Sequence, residues 1–425
     1  MAYPSLPASP SDELFRALEL GSRHNEALPN IGAVLHIDGE PPRIDALRAA
    51  LAGPVSKLPT LNHRLVCSTS RAEWVPAPAV PGVHVTELRI GPGDGEVERA
   101  AEALLLESLP GGVAPWRLVL LHGHRPGGYA LVYIVRHELQ DAGGLVCALE
   151  WLFARHGGTQ DWSSVVRGLD GARRAGPREA LEVLGDTKRA ARPIDWWSAP
   201  YAELTGRRSL HWAEVPAEAL SRAGHSVGGT ANDAYLTALT RAVSDWAQET
   251  WPATPAGDLP VVVPINLRTQ AEFGMPGNFI HIGRFPLPRA AADPAEQLAA
   301  TAAVTAAVKS LSYRRFLREL DTRPPKPVLR WIGARTTAAD RLSVVGSHFT
   351  LRRPLWCGEH PVRRVVPLMC CPEGFPMCAL LFRYAGTATV SFRIDRALTG
   401  AATIPERWSK AVADLAAPDD APSGT

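Results

Sequence analysis

The sequence predicts two α/β lobes whose sheets are mixed rather than purely parallel. Its 425 residues suffice for two or three compact domains, and 46% hydrophobic with 21% charged residues is a globular composition. Strand-like and helix-like segments interleave in both halves without the strict β–α–β alternation of a parallel sheet. Residues from about 157 to 200 lose this pattern, which indicates a connector. The predicted domains are therefore an N-terminal lobe at 1–185, a connector at 186–204 and a C-terminal lobe at 205–425.

In the first half, an amphipathic helix is predicted over residues 11–20, where Leu14, Phe15 and Leu18 recur at helical spacing behind Ser11 or Asp12 as N-cap. The other predicted elements are a strand over 31–37, a helix over 42–52, a strand near Leu65, strands over 116–121 and 129–135, and a helix over 145–154. The last two strands form a hairpin around a long, glycine-containing turn at 122–128.

The second half repeats this mixture of helices and strands. The predicted elements are helices over 216–223, 232–247 and 294–311, and strands over 259–265, 362–366, 379–384 and 387–394. Because both halves carry the same kinds of element, two lobes of related architecture are expected rather than one continuous sheet.

Charge and targeting signals narrow the class of protein. Lys plus Arg number 45 against 43 for Asp plus Glu, so the net charge of +2 gives no field that would attract nucleic acid. The N-terminal residues have neither the basic nor the apolar region of a secretory signal, and the most apolar run, 129–135, is too short to span a bilayer. We expect a cytoplasmic protein without a transmembrane segment, and the sequence leaves peripheral membrane attachment open.

The six cysteines predict neither a disulfide framework nor a metal site. No CxxC pair occurs, and the cluster Cys370, Cys371 and Cys378 has no nearby histidine pair. Reduced thiols are the expectation.

The segment Arg136-His137-Glu138-Leu139-Gln140-Asp141-Ala142-Gly143-Gly144 carries the sharpest chemical pattern. It lies between an apolar strand and an apolar helix, so His137 and Asp141 are expected on two sides of one turn. Histidine takes a proton near neutral pH, which suits a general base. Asp141 suits a helix N-cap or an arginine partner, and Gly143 and Gly144 would let a substrate approach the backbone. A surface loop with an N-cap is the alternative.

This segment resembles the HHxxxDG motif of the chloramphenicol acetyltransferase-like superfamily, which includes condensation domains of peptide synthetases and the wax ester synthase/diacylglycerol acyltransferase family. Further segments are similar to the latter family in the same order along the chain: 10–20, 109–121, 229–236, 263–268, and Gly277-Asn278 followed by 285–288. Arg136 stands where the motif has its first histidine, and Ala142 stands where it has glycine.

The resemblance implies a V-shaped pseudo-dimer of two such lobes, with a tunnel between them that is open at both ends. An acyl thioester, either acyl-CoA or a phosphopantetheinyl thioester on an acyl or peptidyl carrier protein, would enter from one side, and an alcohol or amine from the other. His137 would be the general base, and Asp141 with Arg268 a structural pair. No permanently bound cofactor and no metal is implied. The tunnel candidates are Arg136, Gly143, Gly144, Asn232 and Asn278.

Two other functions stay open on the sequence. A protein that binds an acyl chain or a carrier protein without catalysis would explain the changes at Arg136 and Ala142. A serine hydrolase would use Ser226 of the GxSxG segment 224–228, with His348 as its base, but the residues before Ser226 predict a helix where that motif needs a strand.

Several candidate residues also have structural interpretations. Asn232 fits a helix start and Asn278 a turn. A basic stretch would either dock an anionic donor, a carrier protein or a membrane, or form a solvated helix face; it comprises Arg314, Arg315, Arg318, Arg323, Lys326, Arg330 and Arg335. The sequence identifies neither the acyl chain nor the choice between ester and amide products.

Overall fold

The structure is a computed structural model that describes residues 3–68, 71–93, 95–155, 204–251, 253, 255–289, 293–322 and 343–417, with single positions between 176 and 197. Most of the predicted connector 186–204 lies outside the described residues. So do four members of the basic stretch, Arg323, Lys326, Arg330 and Arg335.

The described part of the first half supplies seven strands and five helices. The strands are β1 (Leu6–Pro7), β2 (Asn30–Asp38), β3 (His63–Cys67), β4 (Ala72–Pro76), β5 (Val85–Arg89), β6 (Trp116–Arg125) and β7 (Gly128–Arg136). The helices are α1 (Pro10–Gly21), α2 (Ile44–Lys57), α3 (Pro81–His84), α4 (Glu96–Leu105) and α5 (Ala142–Phe153).

The described part of the second half supplies eight strands and five helices. The strands are β8 (Arg208–Pro216), β9 (Leu259–Asn266), β10 (Ile280–Leu287), β11 (Val344–Thr350), β12 (Trp356–Cys357), β13 (His360–Leu368), β14 (Met377–Tyr384) and β15 (Thr387–Asp395). The helices are α6 (Ala217–Ser226), α7 (Ala231–Thr250), α8 (Pro294–Val304), α9 (Leu311–Thr322) and α10 (Ile404–Ala416).

Two six-stranded mixed sheets form the framework. The first has the strand order β12-β13-β2-β7-β6-β5, in which only the β5–β6 pair is parallel. The second has the order β10-β9-β11-β14-β15-β8, in which β11 runs parallel to both neighbours. A small third sheet has the order β1-β4-β3. The predicted α/β class with mixed sheets is confirmed.

One strand pair crosses from the second half of the chain into the first sheet. β13 pairs antiparallel with β2, so residues 356–368 complete the first sheet although they lie in the range 205–425 predicted for the C-terminal lobe. The indole Nε1 of Trp212 on β8 donates to the Pro367 carbonyl oxygen at 3.3 Å, which ties this crossing back to the second sheet. β13 joins the first sheet because β2 would otherwise be an edge strand with one row of unpaired backbone N–H and C=O groups.

Three predicted elements differ in detail. The N-cap of α1 is Ser9 rather than Ser11 or Asp12, because Asp12 accepts from the Ser9 backbone N–H at 2.8 Å and completes a capping box. β6 extends to Arg125, through most of the predicted long turn. The hairpin turn is therefore short, and Gly127 adopts a positive φ of 62° in it. The predicted helix over 294–311 stops at Val304, where the Thr305 hydroxyl donates to buried Asp233 at 2.5 Å.

Candidate active site

The segment from His137 to Asp141 joins the end of β7 to the start of α5. The His137 backbone N–H donates to the Pro29 carbonyl oxygen at 2.7 Å, which fixes the first residue after the strand. Asp141 is the N-cap of α5, and its Oδ1 accepts from the Gly144 N–H at 2.8 Å. The two candidate side chains, His137 and Asp141, are therefore held by a strand end and a helix start.

Ala142 fits the place where the resembled motif has glycine. It is the first residue of α5, and Ala385 is the only described non-glycine residue with positive φ. Because Ala142 has an ordinary helical conformation, a Cβ atom causes no backbone strain there.

Asp141 forms a buried ion pair with Arg268, which comes from the loop after β9. Arg268 Nε lies 2.9 Å from Oδ1 and 3.0 Å from Oδ2 of the carboxylate, and both side chains are almost fully buried. The Phe279 N–H also donates to Oδ2 at 2.9 Å. Burial raises the pKa of Asp141, but the Arg268 charge and these hydrogen bonds outweigh it, so the pKa lies below its usual value.

The remaining donors of Arg268 bind the loop that faces the motif. Nη1 donates to the carbonyl oxygens of Glu272 at 2.6 Å and Met275 at 3.2 Å, and Nη2 donates to that of Gly277 at 2.6 Å. In return, the Gly277 N–H donates to the Leu139 carbonyl oxygen at 2.7 Å. One arginine thus fastens the 268–279 loop to the motif loop.

Asn278 fixes the tautomer of His137. Its Nδ2 donates to the carbonyl oxygens of His137 at 2.8 Å and Glu138 at 3.0 Å, so its Oδ1 faces the imidazole. His137 Nδ1 lies 3.1 Å from that oxygen, which can only accept. The proton therefore sits on Nδ1, and Nε2 keeps the lone pair that a base needs.

The His137 ring is buried and stacked. Phe15 of α1 lies parallel to the imidazole, with ring centroids 3.9 Å apart and an interplanar angle of 7°. Burial lowers the pKa of His137 below its usual value of about 6.5, and Asp141 and Asn278 offset that effect only in part. The imidazole is consequently neutral at neutral pH.

This pKa gives a prediction for the pH dependence of any reaction that uses His137 as a base. We expect kcat/KM to fall only on the acid side, with a midpoint below about 6.5, because protonation of the imidazole removes the lone pair. Initial rates from about pH 4.5 to 8.5 measure the limb. Glu138→Gln is the control, since burial raises the pKa of this neighbouring carboxyl to about 7. A limb that disappears in Glu138→Gln would assign it to Glu138 instead.

Arg136 forms ion pairs with the carboxylates of Glu19 and Glu138. Its guanidinium Nη2 lies 3.0 Å from Glu19 Oε1, and Nη1 lies 3.5 Å from Glu138 Oε1. Arg16 of α1 joins the same group through ion pairs with Glu19 and Glu138. Arg136 therefore anchors α1 beside the site and does not cover His137.

Two cavities adjoin the motif. A wide one of about 990 Å³ is lined by Gly143, Asn232 and Asn266 among others. A narrow one of about 90 Å³ is lined by His137, Phe15 and mostly apolar side chains. Pro264 and Phe349 line both cavities, so the two lie back to back.

Of the five tunnel candidates, the structure places some at a cavity and others away from both. Gly143 and Asn232 line the wide cavity, and Asn278 contacts His137 directly. Arg136 and Gly144 line neither of these two cavities. Arg136 lines neither because its guanidinium is held in ion pairs. Gly144 lines neither because the Arg268 guanidinium occupies the adjacent space, 3.0 Å from the position that a Cβ atom would take. The small size of Gly144 thus admits Arg268 rather than a substrate.

The sequence singled out Arg314 of the wide cavity's basic rim as a candidate docking residue, but it did not single out Phe15 or the other rim residues, Lys309, Arg352 and Arg353. Phe15 was assigned only to an apolar helix face, because stacking on a histidine 122 positions away leaves no local signal. Of the basic stretch, Arg314 lines the wide cavity together with Arg352, Arg353 and Lys309, while Arg318 pairs with buried Glu272. Arg314 is exposed on α9 and Arg318 is half-buried, so the two arginines have different surroundings.

The segment around Ser226 does not form a nucleophile elbow. Ser226 is the last residue of α6, and its hydroxyl donates to the Ala223 carbonyl oxygen at 2.8 Å. His348, the base that a hydrolase would need, lines the wide cavity. A helix rather than a strand precedes the serine, so the geometry required by the motif is missing.

Within the described ranges, no group of three or more His, Cys, Asp or Glu side chains is placed to hold a metal ion. Among the helices that the structure describes, each is too short or too polar to cross a lipid bilayer.

Solved structures share this fold over nearly the whole chain. The wax ester synthase/diacylglycerol acyltransferase from Marinobacter aquaeolei VT8 matches with a TM-score of 0.63 at 16% identity, covering 96% of this chain and 98% of that one. The first condensation domain of the CDA synthetase matches with a TM-score of 0.69 at 17% identity, covering 98% and 97%. The starter condensation domain of rhizomide synthetase, solved with C8-CoA, matches with a TM-score of 0.68 at 12% identity, covering 97% and 95%. The chain therefore has the two-lobed fold of condensation domains and wax ester synthases.

In sequence, the chain is similar to two proteins from two strains of Mycobacterium tuberculosis, each named a putative diacylglycerol O-acyltransferase. Both are 28% identical to it over 240 residues, which is 52% of this chain and 52% of each relative. The chain thus spans about half the length of the curated relatives it matches. No family model matches it. The resemblance inferred from the ordered motifs is confirmed.

Proposed function

We propose that the protein is an acyltransferase that moves an acyl group from a thioester to an alcohol or amine, with His137 as general base. The observation that carries this proposal is the arrangement of His137: its pKa is lowered by burial, Asn278 fixes its tautomer, and its ring lines a cavity. The names of the matched acyltransferases and the fold support the same reaction.

The proposed chemistry needs no covalent acyl-enzyme. His137 Nε2 takes the proton from the acceptor hydroxyl or amine as its oxygen or nitrogen attacks the thioester carbonyl carbon. The carbon–sulfur bond then breaks, and the imidazolium returns the proton to the departing thiolate. Asp141 and Arg268 hold the loop and take no part in the proton transfer. We place this reaction in specialised metabolism, because the departures at Arg136 and Ala142 distinguish the chain from the common motif.

A direct assay tests the proposal. The purified protein is incubated with a panel of acyl-CoAs and a panel of alcohols and amines, and products are detected by mass spectrometry with free thiol release as a second readout. New ester or amide that depends on His137 supports acyl transfer. Binding of acyl-CoA without product from any pair would favour the non-catalytic alternative.

Asn278 gives a further prediction for this reaction. Asn278→Ala removes the acceptor that holds the proton on Nδ1, so the imidazole can adopt the wrong tautomer. We expect kcat to fall by about 5- to 150-fold, equivalent to the roughly 1–3 kcal/mol cost of an unsatisfied buried group. Steady-state kinetics measure this, with KM expected to change less than kcat. An unchanged kcat in a folded Asn278→Ala protein would contradict the tautomer assignment.

The basic rim of the wide cavity supports an anionic donor such as acyl-CoA or a carrier-bound phosphopantetheinyl thioester. Arg314 and Arg352 are exposed at this cavity, and the ammonium of Lys309 lies 2.7 Å from Asp233, which already balances its charge. Exposed guanidinium groups suit phosphate oxygens, which accept hydrogen bonds in a forked geometry.

A matched pair of variants tests this assignment. Arg314→Ala should raise KM for acyl-CoA about fivefold, equivalent to about 1 kcal/mol for one exposed charge, and leave KM for the corresponding acyl-N-acetylcysteamine unchanged. Arg315, also exposed and on the same helix, does not line the cavity, so Arg315→Ala is the control. Equal effects of both variants would show a general charge effect and exclude a phosphate contact at Arg314.

A further inference from the structure

The narrow cavity beside His137 differs from the wide one in chemistry as well as size. Its wall is built from aliphatic, aromatic and sulfur-containing side chains from both halves of the chain, such as Leu14, Ile280 and Phe375. Among the described residues that line it, Asp141 is the one with a charged side chain, and its carboxylate is already bound by Arg268. Ser347 and His137 are the cavity's other polar lining residues, so a polar guest would gain few partners for the water it loses, whereas an apolar guest would lose nothing.

His137 sets which part of a substrate can enter this cavity. The imidazole lines it, so a carbonyl or hydroxyl that reacts with His137 would lie against this wall, and the group attached to that atom would occupy the cavity. The bulky, anionic remainder of a donor fits the wide cavity, which has about eleven times the volume and the basic rim. The narrow cavity thus suits an apolar end of a substrate, and the wide cavity suits a polar end.

The volume limits the apolar end to a short chain. An apolar cavity of about 150 Å³ is large enough for benzene, so about 90 Å³ holds fewer than roughly six carbons. Long acyl chains, such as those of storage lipids, exceed this space.

Helix α1 forms a fixed wall of the cavity. Leu14 and Leu18 lie one helical turn apart on the face that lines it. Asp12 of the same helix is fully buried; its Oδ1 accepts from the Asn278 N–H at 2.7 Å and its Oδ2 from the Trp74 indole at 3.0 Å. Because α1 is tied to Asn278, the residue that orients His137, its side chains keep a constant distance from the base.

We propose that this narrow cavity binds a short aliphatic chain of the substrate and that Leu14 of α1 sets the chain length accepted. The proposal rests on the proposed acyltransferase function. The chain comes either from the acyl group of the donor or from the hydrocarbon of the acceptor, and the experiment separates these sources.

The test replaces Leu14 with a smaller and with a larger side chain. Leu14→Ala widens the cavity and Leu14→Trp narrows it, while Leu20→Ala and Leu20→Trp on the same helix are controls, since Leu20 is 73% exposed and does not line the cavity. One series varies the acyl-CoA from acetyl to dodecanoyl with a fixed small acceptor. A second varies a straight-chain alcohol with acetyl-CoA fixed.

In the wild type, kcat/KM should rise by up to about fourfold for each added methylene until the cavity is full, and then fall. Leu14→Ala should move this optimum to longer chains and Leu14→Trp to shorter ones, in one series only, and the Leu20 variants should leave it in place. The series that responds identifies the source of the chain. An optimum that Leu14 does not move in either series would overturn the proposal while leaving the acyltransferase function intact.

A binding measurement keeps the two proposals separable. Thermal unfolding is followed in the presence of straight-chain alcohols of increasing length, which act here as ligands and need no turnover. Stabilisation that reaches a chain-length optimum and shifts with Leu14 but not with Leu20 supports the chain site even if no acyl transfer is found. Stabilisation indifferent to Leu14 counts against the site.

Discussion

Replacing His137 with alanine is expected to lower kcat by about 10²- to 10⁴-fold, the usual contribution of a positioned general base. The variant loses the Nε2 lone pair, and no other described histidine takes its place, because His348 lies in the other cavity. Initial rates of thiol release with acyl-CoA and an acceptor measure the loss. KM should change less than kcat, since the imidazole acts in the transition state more than in substrate binding.

Two comparisons make this result specific to His137. Circular dichroism and the thermal midpoint should show that His137→Ala remains folded, although its ring stacks on Phe15. Ser226→Ala is the matched catalytic control, because a serine hydrolase would need this hydroxyl and the acyltransferase does not. Wild-type rates in His137→Ala, or inactivity confined to Ser226→Ala, would overturn the mechanism.

Asp141→Asn is expected to destabilise the protein by about 3–5 kcal/mol. The change keeps an oxygen that can cap α5 but leaves the buried Arg268 charge without its carboxylate, and a buried charge without its partner costs about this much. Because the pKa of Asp141 is lowered in the folded protein, the stabilisation is complete at neutral pH and is lost as the pH falls through that lowered value. Urea unfolding at neutral pH measures the change in the free energy of unfolding.

Asp38→Asn provides the control for the Asp141 variant. Asp38 pairs with Arg125 and Arg363, but all three side chains are about half exposed or more, so water screens the pairs. Its loss should cost no more than about 1 kcal/mol. Equal destabilisation by the two variants would mean that the Asp141–Arg268 pair does not fasten the loops.

Local patterns predicted most of the framework from the sequence. The segments that became β2, β7 and β14 are mostly apolar runs, and β15 alternates polar with apolar residues, so each was identified without knowledge of its neighbours. The strands β5, β8, β10, β11 and β12 of the two large sheets were not predicted, and β8 shows one reason. It is an edge strand of the second sheet whose side chains alternate poorly between buried and partly exposed, so hydrogen bonding to β15 stabilises it more than its own pattern does.

Some residues of the candidate site were identified from the sequence, and others only from the structure. The spacing of His137 and Asp141 between a strand and a helix is a local property, so the sequence was sufficient to select both residues. Arg268 was selected only through resemblance, and Phe15 as a stacking partner was not selected at all. Each lies more than 120 positions from its partner, and no local period records such a distance.

By itself the sequence determined the class of fold, the motif loop and its two candidate residues, because these depend on hydrophobic periodicity and short-range spacing. Only the tertiary structure decided which nitrogen of His137 carries the proton, why Gly144 is small, and that β13 completes the first sheet. It also decided the difference between the two cavities. These properties arise where segments from both halves of the chain meet, and the free energy of such contacts depends on distances that the order of residues does not encode.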